Sequence, residues 1–122
     1  MNSYEIVQQC ARIADDKRAE DVLVLETREI SSVADYFLLA TARNKRQMKA
    51  IAEGMRVDLK QHGVRDLHTE GYGGERWVLL DYGAVVVHVF DAETRGFYDL
   101  ESLWADAPRL DLAKLLQGRD SA

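Results

Sequence analysis

Two largely apolar runs joined by a turn make up Arg76–Asp91, RWVLLDYGAVVVHVFD, and this pattern predicts a β-hairpin whose side chains alternate between two faces. Val and aromatic residues suit a pleated surface, and Gly83 can supply the positive φ of a short turn. With Tyr82 and Gly83 as the turn residues, Asp81 is expected to face Ala84, Leu79 to face Val86 and Trp77 to face His88. One face then carries Val78, Leu80, Val85, Val87 and Val89, which reads as core. The other carries Trp77, Leu79, Asp81, Val86, His88 and Phe90, too apolar for a solvated face yet holding an Asp and a His. Two readings of it stand. Either a further helix covers it and the polar pair is satisfied internally, or it is an apolar patch awaiting a partner. A one-residue slip would exchange the two faces.

A helical period runs from Ser3 to Lys17, with Ser3 as N-cap, Glu5 in the first turn and Ile6, Cys10, Ile13 and Ala14 on one side. After the polar turn DDKRAED, Val22–Leu25 reads as a short strand buried on both faces. TREISSVAD crosses over, with Ser31 or Ser32 capping a single helical turn, to a second strand at Tyr36–Ala42. Asn44 opens the longest helix, which buries Met48, Ile51, Ala52, Met55 and Leu59 and stops at Gly63. Val64–Glu70 is expected as an edge strand, linked to the hairpin through Gly71, Gly73 and Gly74. Beyond the hairpin, Glu93–Trp104 reads as a turn and a short helix in which Phe97, Leu100, Leu103 and Trp104 pack together. Pro108 breaks the chain before LDLAKLL, a terminal amphipathic helix that needs a docking surface, and a polar end. The order predicts an α/β or α+β domain, a mixed sheet of about five strands flanked by helices. Residues 1–107 form that single domain and 108–122 a C-terminal tail.

Length and composition narrow the classes. A chain of 122 residues can bury about two-thirds of its unfolded surface and fold without disulfide or metal. Its one cysteine, Cys10, is expected as a small buried side chain. The sequence shows no membrane span and no signal-peptide start, so a cytoplasmic location is expected. The formal charge of −5 disfavours broad nucleic-acid binding and better suits a basic protein surface. Against that average, Arg43, Lys45, Arg46 and Lys49 crowd the start of the longest helix, the wrong sign for that end.

Chemistry-bearing motifs are mostly absent: there is no GxxxxGK[ST] loop, no HExxH and no CxxC. Gly71-Tyr72-Gly73-Gly74 precedes a strand, so no helix N-terminus is available to hold phosphate there. His62, His68 and His88 have no metal-ligand spacing. Asp21, Asp35 and Asp81 lie near strand ends, where capping and turn hydrogen bonds are their expected roles. No catalytic residue, metal ligand or cofactor is assigned.

The segments AEDVLVLETREISSVADYFLLATARNKRQMKAIA, EGYGGERWVLLDYGAVVVHVF and RGFYDLESLWADA resemble the ribosomal silencing factor family, also called Iojap-like. The most specific pieces are Asp35-Tyr36-Phe37, Glu70-Gly71, Trp77 through Asp81-Tyr82-Gly83, Val87-His88-Val89-Phe90, and Arg95 with Tyr98, Leu100-Glu101 and Leu103-Trp104. Two departures are Glu26, where the family often has Asp, and Ala84, where an acidic residue often follows the turn glycine. The resemblance implies a nucleotidyltransferase-like fold without an established activity. It implies a translational repressor that docks on the large ribosomal subunit at its fourteenth protein and blocks joining with the small subunit when nutrients are scarce, as in stationary phase. Little direct nucleic-acid contact and no membrane partner are expected, and a homodimer is an alternative occupant of the apolar face in the free protein. Trp77, Leu79, Asp81, Tyr82, His88 and Phe90 are the expected partner-binding residues, an aromatic anchor within apolar area. The competing reading is a nucleotidyltransferase-like enzyme with a carboxylate-bound metal. Such sites usually follow a Gly-Ser pair, which this sequence lacks.

Overall fold

Helix α1 (Ser3–Asp16) is capped one residue earlier than expected. The Asn2 side chain accepts from the Glu5 backbone N–H at 2.8 Å, and the Glu5 carboxylate accepts from the Asn2 N–H at 2.9 Å, a reciprocal capping box. Strands β1 (Glu20–Glu26) and β2 (Tyr36–Thr41) follow as an antiparallel pair whose register shifts between Glu20 and Leu23, where Asp21 takes φ 48°. β2 is buried along its whole length, as its sequence implies. β1 contributes to both faces as expected, Val24 buried in the helix-side core and Leu25 on the opposite face, with Val22 and Leu23 partly buried against the same two clusters. This computed structural model describes residues 1–30, 32–71 and 76–117. Ser31, Gly73 and Gly74, assigned to a cap and a link from the sequence, lie outside them.

Helix α2 (Lys45–Gln61) opens at Asn44, whose side chain accepts from the Gln47 N–H at 2.8 Å. The Gln47 side chain donates to the carbonyls of Lys17 and Arg18 at 3.0 and 2.8 Å, which ties the start of α2 to the end of α1. The expected stripe of Met48, Ile51, Ala52, Met55 and Leu59 is buried throughout, and the chain leaves the helix at Gly63 with φ 79°. β3 (His68–Glu70), β4 (Trp77–Asp81) and β5 (Val85–Phe90) complete a five-stranded sheet in the order β1-β2-β5-β4-β3. β2 and β5 run parallel, and the other neighbours are antiparallel, so the sheet is mixed as expected. Both long helices pack on one face, closing a core with Val78, Leu80, Val85, Val87 and Val89. Cys10 is wholly buried in it, and burial, reinforced by the Asp58 charge, pushes its thiol up to about 12. It is a core residue, kept protonated.

The C-terminal third wraps back over the sheet. Asp91 caps α3 (Ala92–Tyr98), Asp99 then takes a left-handed conformation (φ 47°), and α4 (Leu100–Leu103) sets off in a new direction. Past α4 the backbone lies along β1: the Glu26 N–H donates to the Pro108 carbonyl at 2.8 Å, and the Leu110 N–H to the Val24 carbonyl at 2.9 Å. This covers the outer edge of β1, which would otherwise offer unpaired backbone groups. α5 (Leu112–Leu115) then seats Leu115 in the helix-side core. The short amphipathic helix therefore has its docking surface. Among the described residues no helix is long and apolar enough to cross a membrane.

Candidate functional site

The hairpin register differs by two residues from the one expected. The Tyr82 N–H donates to the Val85 carbonyl at 2.8 Å, so Gly83 and Ala84 make the turn. Asp81 then pairs with Val86, Leu79 with His88 and Trp77 with Phe90, not with Ala84, Val86 and His88. Gly83 carries the positive φ, 80°, and its N–H is accepted by the Asp81 carboxylate at 2.7 Å. That side-chain bond stabilises a turn one residue further along than Tyr82-Gly83. A shift of two leaves side-chain alternation intact, so every strand residue of the hairpin stays on the face assigned to it.

The face away from α1 and α2 is built in rows across the sheet. One row runs Leu25, Phe37, Val86, Asp81. The next runs Leu23, Leu39, His88, Leu79, and a third runs Thr41, Phe90, Trp77. Among the described residues no long helix covers these rows. The segment from α4 to Ala107 covers only the β1–β2 side: Leu100, Trp104 and Ala107 pack there, and the Trp104 ring meets Phe37 edge-on at 5.1 Å. Arg95 fastens that cover. Its guanidinium donates to the Asp21 carbonyl (2.7 Å) and the Thr41 hydroxyl (2.9 Å) and pairs with Glu101 (3.4 Å). Leu100 and Trp104 thus pack as expected, whereas Phe97 is 81 % exposed and Leu103 70 % exposed. The left-handed Asp99 breaks the helical phase that would have brought all four together.

Toward β4 the described residues leave the face open. An apolar groove of about 350 Å³ lies between Trp104 and Trp77, floored by Phe37, Val86, His88 and Leu79, with Val33, Asp81 and Leu100 also lining it. Trp77 and Leu79 are half-buried, and Val33 is 69 % exposed. The Trp77 indole packs on Phe90 (5.0 Å between ring centres) and Tyr98 (4.8 Å), and its Nε1–H donates to His88 Nδ1 at 3.2 Å. His88 is 6 % exposed and stacks on Phe90. Burial alone pushes its pKa down to about 4, so the ring is neutral and its Nδ1 is an acceptor. The polar pair of this face is therefore satisfied locally: His88 by Trp77, and Asp81 by the turn.

Of the residues singled out in the sequence, Trp77, Leu79, Asp81 and His88 meet at this groove. Phe90 lies beneath Trp77 and is fully buried, so it supports the face from below. Tyr82 is on the other face, buried in the helix-side core, where burial pushes its phenol pKa up. Phe37, Val33, Leu100 and Trp104 were not assigned to the site from sequence. Phe37 joins it through parallel pairing with β5, and such pairing leaves no local mark in either strand. The segment 91–106 beside the groove carries Asp91, Glu93, Asp99, Glu101 and Asp106 against Arg95 alone, so the rim is acidic. Among the described residues no group of three or more His, Cys, Asp or Glu side chains could hold a metal ion.

Comparison with known proteins gives consistent matches. The family described as "Ribosomal silencing factor during starvation" matches residues 1–122. The ribosomal silencing factor RsfS of Bacillus subtilis is 46% identical over 112 residues, 92% of this chain and 95% of that protein. An Iojap-related mitochondrial protein of Arabidopsis thaliana is 34% identical over 99 residues, 77% of this chain and 53% of that protein. A crystal structure of a Chromobacterium violaceum protein superposes with a TM-score of 0.81 at 36% identity, covering 86% of this chain and 88% of that one.

Proposed function

This chain belongs to the ribosomal silencing factor family, and from that membership we propose that it represses translation by docking the Trp77–Leu79 groove on the large ribosomal subunit. The contact is the fourteenth protein of that subunit, and the bound factor blocks joining with the small subunit, chiefly under nutrient limitation. The observation that carries this reading is the open apolar groove, left uncovered on a sheet whose other face is sealed by two helices. An aromatic at the rim, an apolar floor and few polar groups form the composition of a protein-binding centre. The acidic rim suits a basic partner, as ribosomal proteins generally are. Docking requires no chemical step, which agrees with the regulatory names of the relatives.

Sedimentation with purified subunits tests this directly. The protein should pellet with free large subunits and not with small ones, and its presence should lower the yield of joined ribosomes. Equal recovery with both subunits, or with neither, contradicts the reading.

A further inference from the structure

Along α2 the charge of the chain reverses. Between Arg43 and Arg65 seven basic residues stand against Glu53 and Asp58, whereas the rest of the chain carries nine basic and nineteen acidic residues. The formal −5 is thus a segment of +5 joined to a remainder of −10. Helix formation does not account for this. The first turn of α2 has no acidic residue and begins Lys45-Arg46, cations set against the positive end of the helix dipole. Lys45, Arg46, Lys49 and Lys60 are exposed, and Arg56 is half-buried against Asp66 at 3.5 Å.

The arrangement is a row. At about 100° per residue, Lys45, Lys49, Arg56 and Lys60 fall within about 60° of one another on the helix and span about 22 Å. The row ends at a recess of about 300 Å³ between Arg56, Lys60, Arg65 and Asp66. α2 packs on the sheet face opposite Trp77 and Leu79, so row and groove can be engaged at the same time.

We infer that this flank of α2 contacts the phosphate backbone of RNA. The inference rests on the proposed docking, which brings the chain to a particle made of RNA and protein. A protein-binding centre needs apolar area that excludes water, and the row of Lys45, Lys49, Arg56 and Lys60 contains none. Phosphate contact needs only cations at backbone spacing. The net charge that argues from sequence against RNA contact averages over this separation. The acidic remainder confines such contact to the flank, where it is weak alone and adds to groove docking by raising the effective concentration of one contact once the other is made.

The test uses the full chain, a short fluorescein-labelled RNA hairpin and anisotropy over a series of KCl concentrations. The wild-type protein should bind with a log affinity that falls with log salt at a slope of about −3, the value for three to four neutralised phosphates. In Lys45→Gln/Lys49→Gln/Lys60→Gln the slope should fall to about −1, with affinity at low salt at least about tenfold weaker. Glutamine keeps helix propensity, and removing Lys45 and Lys49 from the helix start offsets the loss of Lys60 from its last turn, so the melting temperature should change little. Arg65→Gln, at the recess where the row ends, should by itself weaken hairpin binding. Trp77→Ala should leave it unchanged. The inference is overturned if the lysine variant keeps wild-type affinity and slope, if Trp77→Ala abolishes hairpin binding, or if polyglutamate competes as well as RNA, which would assign the flank to an acidic protein. If Trp77→Ala pellets normally with large subunits while hairpin binding follows the lysines, groove docking fails and the RNA contact stands.

Discussion

Trp77 and His88 are joined by a single hydrogen bond, indole Nε1–H to imidazole Nδ1 at 3.2 Å, that runs diagonally between β4 and β5. It requires a neutral His88 and fixes the indole at the rim of the groove. A buried imidazole is thereby paired, and a large aromatic is held with one side toward solvent. Pre-ordering of this kind lowers the entropy lost when a partner docks.

A pH dependence follows. His88 has its pKa depressed to about 4 from an ordinary 6.5 because burial disfavours the charged ring. Between those values the unfolded chain takes up a proton that the native chain does not. The stability that neutral His88 contributes is therefore whole above about pH 6.5 and is lost as pH falls toward about 4, on the order of 3 kcal/mol in all. Carboxylates also titrate in the lower part of this range, so the readout is a difference. Denaturant unfolding at pH 7.5 and pH 4.5 should show a smaller loss for His88→Gln, which keeps an acceptor for Trp77, than for wild type. Equal losses would mean that His88 titrates alike in both states.

Arg95 should couple stability to binding. It is 11 % exposed at its side chain and ties α3 to β1, β2 and α4. Arg95→Ala leaves Glu101 without its cation and loosens the segment that places Trp104 at the groove. The expected cost is about 2–4 kcal/mol, read from unfolding curves, with weaker subunit binding even where the variant is fully folded. A variant that loses stability while binding normally would show that the α4 cover is not part of the docking surface.

Much of this was legible in the sequence, for specific reasons. The two hairpin faces survived a register that was wrong by two, because the period-two pattern depends on parity and not on the turn. The α2 stripe was readable because five apolar residues at helical spacing admit one buried side. Tyr82 was misread because a turn aromatic carries no sign of which face it joins, and here it continues the alternation of Val78 and Leu80 into the core. Phe97 and Leu103 were misread because a left-handed Asp99 resets the helical phase, and an aspartate alone does not announce that. The pairing of Pro108–Leu110 with β1 joins distant segments through backbone atoms, so no side-chain period records it.

Salt should act on association. The rim beside the groove is acidic and its floor apolar, so screening weakens steering toward a basic partner and leaves the centre unaffected. Surface-immobilised partner and stopped-flow measurements should show the on-rate falling as KCl rises, with a smaller change in the off-rate. A salt effect confined to the off-rate would place charge, and not apolar surface, at the centre of the contact.

Trp77→Ala and Val87→Ala, each measured by thermal melt and by large-subunit binding at a temperature where both are folded, separate the two faces of one hairpin. Val87 is fully buried on the helix side, and its truncation should cost about 1–3 kcal/mol of stability while binding stays at the wild-type level. Trp77→Ala should remain folded and lose about 2 kcal/mol or more of binding, more than tenfold in affinity, so that subunit joining recovers in its presence. Wild-type binding by folded Trp77→Ala, or an equal binding loss in folded Val87→Ala, would contradict docking through the groove.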